Sequence, residues 1–110
     1  MEAVFVLSID QGTTGTLVSI FDLTLKVPLK VASSYHEFKQ SYPSYNWVEH
    51  DLDEIWQTIL SGIRESIARA QTQVKNFSIK KICAVGITNQ RETLCIFDRK
   101  SGRPLAPAIV

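Results

Sequence analysis

"LSIDQGTTGTLVSIF", residues Leu7 to Phe21, decides how this chain starts to fold. Val4 to Ile9 and Leu17 to Phe21 are apolar and β-branched, the composition of buried strands. Between them, Asp10 to Thr16 carries one acid, two glycines and three threonines, but no lysine. A tight hairpin needs only two turn residues, so the surplus polar groups ask for a second reason. Asp10 closes a buried strand, where a carboxylate without a partner is costly. A divalent cation, directly or through water, would suit it. Gly12 and Gly15 permit positive φ and a close approach of backbone to a ligand. A tight turn that aims several N–H groups one way makes an anion-binding concavity, and hydroxyls from Thr13, Thr14 and Thr16 add donors. Two readings fit: a glycine-rich hairpin whose Asp and Thr satisfy the turn, or a phosphate–metal site. The stretch is neither a Walker loop nor a dinucleotide fingerprint, because the lysine, the glycine spacing and the following helix are all missing.

Outward from the hairpin, Lys26 to Phe38 reads as a third strand, with Pro28 suited to an edge or a strand start. Short connections join these runs as an antiparallel meander. Ser41 to Trp47 is a loop. Asp51 then precedes Glu54 by three positions, the spacing of a capping box. Leu52, Ile55, Trp56, Ile59, Leu60, Ile63 and Ile67 form one apolar stripe of an amphipathic helix over Leu52 to Gln73, and the whole stripe, Trp56 included, is expected in the core. Glu65 and Arg69 stand four apart on its polar side. Gly62 inside the helix costs up to about 1 kcal/mol against alanine. Ile79 to Ile87 is strand-like and, following a helix, implies a parallel crossover. Thr93 to Phe97 reads as a further strand before the turn at Asp98 to Gly102. The expected fold is α/β, a mixed sheet in β-β-β-α-β-β order.

The 110 residues suffice for one small domain. A net charge of +1 leaves no electrostatic footprint for nucleic acid or an anionic membrane. No run approaches a transmembrane length, and the acid at Glu2 before a short apolar start argues against a signal peptide. Cys83 and Cys95 sit in runs that read as buried strands, so reduced core thiols in a cytoplasmic protein are expected, with a disulfide as the alternative. His36 and His50 lack metal-ligand spacing; His50 is expected to help fix the approach to the helix. The chain closes on the apolar run "APAIV", Ala106 to Val110, which leads to the expectation that it is part of a longer protein.

The other stretch with chemistry in it is "GITNQRET", Gly86 to Thr93. Ligand groups in α/β sheets collect at the carboxyl ends of strands, where Asn89, Gln90, Arg91 and Glu92 all fall. Arg is a multiple donor and Glu a pure acceptor. Side by side they can embrace a small polyol, or they can form a solvated loop with a local ion pair.

Taken together, "SIDQGTTGT", "WVEHD" (Trp47 to Asp51) and "GITNQRET", in this order and spacing, resemble the glycerol kinases, carbohydrate kinases of the actin-like ATPase superfamily. The resemblance covers essentially the whole chain, while chains of that family are several times longer. It implies a ribonuclease-H-like, actin-like domain, of which residues 1–110 are the N-terminal part. It implies ATP and Mg²⁺ as cofactor and metal, glycerol as substrate, a cytoplasmic protein and a homo-oligomer. Asp10 would serve Mg²⁺ through water, Thr13, Thr14 and Gly15 would contact phosphate oxygens, and Arg91 and Glu92 would bind the glycerol hydroxyls. The catalytic base and the adenine site would come from later residues, so residues 1–110 alone are expected to be inactive. Where many members of the family carry a phosphate-binding arginine, this chain has Leu17. The alternatives are a kinase for another polyol or sugar of the superfamily, or a non-catalytic actin-like module.

Overall fold

Every second residue from Phe5 to Gln11 is buried, which gives the first strand one core face. The computed structural model describes residues 2–110. Strand β1 (Phe5–Gln11) pairs antiparallel with β2 (Gly15–Asp22), and β2 pairs antiparallel with β3 (Leu29–Glu37). This is the expected meander, and β3 starts directly after Pro28. A two-residue strand β4 (Glu49–His50) precedes helix α1 (Leu52–Gln73). A 3₁₀ turn, Ile79–Lys81, leads into β5 (Ile82–Asn89), which lies parallel to β1. The sheet order is β3-β2-β1-β5, so β3 and β5 are its edges. β6 (Ala108–Ile109) pairs with β4 in a separate two-stranded ribbon. The mixed α/β architecture is as expected.

Phe5, Leu7, Ile9, Val18, Ile20, Ala32 and Ala70 form the buried core, and Phe77 meets the Phe5 ring edge-on at 5.0 Å. Helix α1 lies on β2 and β3 through an unusually small stripe: Thr58, Gly62, Ser66 and Ala70. A Cβ at Gly62 would sit 2.6 Å from Val18 Cγ2, so the glycine is required for close packing. Thr58 Oγ1 meets Thr16 Oγ1 at 2.8 Å, and Ser66 Oγ donates to the Val18 carbonyl at 3.0 Å. Asp51 caps the helix, accepting from the Asp53 and Glu54 amides. Glu54 departs from the expected capping box: its Oε1 accepts from the Lys39 amide at 2.9 Å and so ties the helix to the end of β3.

Three expectations are corrected. Trp56 is 53% exposed, because Thr58, Gly62, Ser66 and Ala70 centre the contact with the sheet; Ile55 is buried and Ile59, Ile63 and Ile67 pack against the core as expected. Thr93 to Phe97 is not a strand; Leu94 and Phe97 make isolated bridges to Ile109 and Pro104. Cys83 and Cys95 are free and exposed. The reason for Cys83 is that α1 covers β2 and β3 and leaves β5 open: Val85 and Ile87, which pair with the core residues Leu7 and Ile9, remain exposed. Cys95 lies on the surface arm that follows β5. No helix among the described residues is long and apolar enough to cross a membrane.

Candidate functional site

The β1–β2 hairpin is gripped from several sides. Its carbonyls point into the protein. Gly12 O accepts from Gln11 Nε2 at 2.8 Å and from Gln90 Nε2 at 3.4 Å. Thr13 O accepts from Gln40 Nε2 at 2.8 Å, and Thr14 O from the Phe38 amide at 3.3 Å. Every peptide bond among the described residues is trans. In a planar trans peptide the N–H of the next residue points opposite to the carbonyl. The amides of Thr13, Thr14 and Gly15 are thereby turned away from the body of the protein, the polarity of an anion-binding concavity.

Beside the hairpin, a surface concavity of about 220 Å³ is lined by Asp10, Gly12, Thr14, Gly15, Leu17 and Tyr35. Asp10, Leu17 and Tyr35 are cross-strand neighbours on β1, β2 and β3, with Thr88 of β5 on the other side of Asp10. This row lies on the sheet face opposite α1. Two sequence expectations change here. Asp10 is exposed rather than buried, because its side of β1 has no covering layer. Neither Gly12 nor Gly15 adopts positive φ. Gly15 is needed for space: a Cβ there would lie 2.4 Å from the Tyr35 hydroxyl and 2.7 Å from the His36 carbonyl oxygen.

Arg91 and Glu92 are exposed and lie just past the end of β5, where Asn89 pairs with Gln11. They do not line the hairpin concavity. They form no ion pair with each other; the salt bridges among the described residues are His36–Glu65 and Arg69–Glu65. Glu92 has φ of 59°, a left-handed backbone that is uncommon outside Gly, Asn and Asp. The other non-glycine residues there are Asn46 and Asn76, so Glu92 is the one held against its preference.

Gln90 joins the two stretches. Its Nε2 donates to Gln11 Oε1 at 3.1 Å, and its Oε1 accepts from Thr93 Oγ1 at 2.7 Å. A second amide does similar work on the other flank. Gln40 donates to Thr13 O, so its Oε1 faces His50 Nε2 at 2.6 Å and His50 carries its proton on Nε2. His50 is fully buried, edge-on to Phe38 at 4.8 Å, and its Nδ1 has no partner among the described residues. Burial pushes its pKa below the usual histidine value, against a smaller opposing pull from Glu54. His50 is thus a neutral structural link between the helix approach and the hairpin. Gln40, Gln90 and Tyr35 carry no sequence signal of these roles, because their partners lie far off in the chain.

Residues 5–110 match the N-terminal domain of the FGGY family of carbohydrate kinases. The chain belongs to that family. The FGGY domain is similar to the glycerol kinase of Myxococcus xanthus, 50% identical over 109 residues, covering 99% of this chain and 20% of the relative. It is also similar to the glycerol kinase of Rhizobium meliloti, 43% identical over 106 residues, covering 96% and 20%. Among solved structures, Plasmodium falciparum glycerol kinase with ADP superposes with a TM-score of 0.87 at 35% identity, covering 99% of this chain and 20% of that one. The chain therefore spans about a fifth of the length of the relatives it matches.

Proposed function

We propose that the full-length protein transfers the terminal phosphoryl group of ATP to glycerol, giving glycerol 3-phosphate and ADP. The observation that carries this reading is the Gln90 bridge, which holds a hairpin suited to phosphate beside a loop suited to a polyol. The glycerol kinase relatives support the choice of acceptor, and the ADP in the Plasmodium falciparum structure supports the nucleotide.

In this reading Thr13, Thr14 and Gly15 donate to phosphate oxygens. Arg91 donates to the glycerol hydroxyls and Glu92 accepts from them. Asp10 fits Mg²⁺: its exposed carboxylate has no hydrogen-bond partner among the described residues and faces the concavity shared with Thr14. No cluster of three His, Cys, Asp or Glu side chains accompanies it among those residues. One carboxylate plus water and substrate phosphates is a common way to hold Mg²⁺. When bound, the ion neutralises phosphate charge. The protein groups bind and orient, which is most of what phosphoryl transfer asks of them. No catalytic base is assigned within residues 2–110. A cytoplasmic location and a homo-oligomeric assembly belong to the same proposal.

The test is a set of initial rates on the full-length protein. Arg91→Ala should raise the KM for glycerol at least about tenfold, the loss of a charged hydrogen bond, with the KM for ATP unchanged. Unaltered saturation by glycerol would overturn the polyol role. A second reading, a module that binds nucleotide without turnover, draws on Leu17. That apolar side chain lines the concavity beside Asp10, where it offers phosphate no donor. ATP binding with no ADP formed in the presence of any polyol would favour it.

A further inference from the structure

The hairpin concavity has a wall that the hairpin does not supply. Tyr35 of β3 lies over Gly15 and is half exposed. Its hydroxyl is 3.2 Å from Thr14 Oγ1, and both residues line the concavity with Asp10. Leu17 stands between Asp10 and Tyr35 in the cross-strand row and contributes only apolar surface.

From this placement we infer that Tyr35 is a further phosphate-binding residue, one that donates its phenolic O–H to an oxygen of the nucleoside polyphosphate. The inference rests on the kinase reading above. Without an anion the two hydroxyls satisfy each other. With an anion in the concavity, each O–H has a charged acceptor, and one neutral hydrogen bond is exchanged for two charge-assisted ones. The separation of the two oxygens lets one phosphate group accept from both. Gly15 belongs to the same device. Any side chain at position 15 would displace the Tyr35 hydroxyl, so the glycine keeps the phenol at the rim of the concavity. The two hydroxyls donate best to an anionic oxygen, and Asp10 on the same concavity suits an anion that arrives with its Mg²⁺.

The test compares the full-length protein with Tyr35→Phe, which keeps the ring over Gly15 and removes only the donor. MgATP binding is titrated without glycerol, and initial rates are measured with both substrates. The expected result is an ATP affinity weakened about ten- to a hundredfold, the cost of one hydrogen bond to a charged group. The KM for glycerol and the melting temperature should not move. Unchanged ATP affinity in a variant that still phosphorylates glycerol overturns the Tyr35 assignment and leaves the kinase reading standing. A lowered melting temperature with unchanged ATP affinity also overturns it, since Tyr35 would then only prop the hairpin. Failure of the unaltered protein to bind ATP removes both.

Discussion

Gln90 Nε2 lies 3.1 Å from Gln11 Oε1, across 79 residues of sequence. The contact fixes the loop after β5 against the hairpin after β1. Each glutamine both gives and accepts, and Gln11 passes its own amide on to Gly12 O. Replacing Gln90 by alanine should let the two loops drift apart. In the full-length protein kcat should fall about 10- to 100-fold, the penalty for misaligned reactants. The KM values should move little, because the groups that touch substrate remain. A change in KM for glycerol alone, with kcat intact, would show that Gln90 binds substrate rather than aligning the loops.

Gly62 faces Val18 so closely that an added methyl has no room. Val18 is β-branched and stiff about χ1, so it cannot turn aside cheaply. Gly62→Ala gains up to about 1 kcal/mol of helix propensity, yet overpacking costs about 1–3 kcal/mol. Chemical denaturation should therefore find the variant less stable, in spite of the better helix former. A more stable variant would mean that α1 lifts off the sheet without penalty.

Asp22, His50, Glu65 and Asp98 all have lowered pKa values and make stability fall toward acid, the histidine starting from a higher pH than the carboxylates. His50 has its pKa lowered by burial, so the unfolded chain takes up this proton first. Its contribution is complete above about 6.5, the ordinary value, and is lost as pH falls through the lower folded value. Glu65 is held below the usual carboxylate range first by the Ser34 hydroxyl and then by His36, which contact the same oxygen at 2.6 and 2.9 Å. Its contribution is present above the ordinary value of 4.5 and disappears as pH falls through the folded one. Thermal melts from pH 8 to pH 3 should show both limbs. Glu65→Gln should flatten part of the lower limb, which Asp22 and Asp98 share, and His50→Asn should flatten the upper. Loss of the same limb in both variants would mean that the two groups are not independent.

Glu92 holds a left-handed backbone at φ 59°, a conformation costing about 1 kcal/mol or more outside glycine and asparagine. Strain of this kind persists where function needs it. Glu92→Asn should raise the melting temperature slightly and raise the KM for glycerol, a trade of function for stability. If stability and KM both stay put, the strained turn has no part in binding.

The hairpin and the helix were legible in the sequence because their signals are local. The apolar runs flanking Asp10 to Thr16 gave the meander, and the stripe from Leu52 with its Asp51 cap gave α1 over its full span. What was hidden depends on contacts between distant residues. The periodicity could not tell that Thr58, Gly62 and Ser66 would press on β2 while Trp56 turned outward. Nor could composition tell that β5 would be an edge left open on the helix side, which puts Val85, Ile87 and Cys83 at the surface. At the site, the types of residue were readable but their mutual placement was not. Asp10 looked buried because it ends an apolar strand, yet its side chain takes the uncovered face. The amide links through Gln40 and Gln90, and the phenol of Tyr35, emerge only when β3, β2, β1 and β5 assemble into one sheet.

In the proposed reading the hairpin and the Gln90–Thr93 loop form one ATP–glycerol site. Its most direct test is ADP release by the full-length protein, measured with glycerol and, in parallel, with a panel of larger polyols and pentuloses. The expected result is saturable ADP release with glycerol, glycerol 3-phosphate as the product, and much weaker release with the pentuloses. Clear turnover of a pentulose with none of glycerol would contradict it.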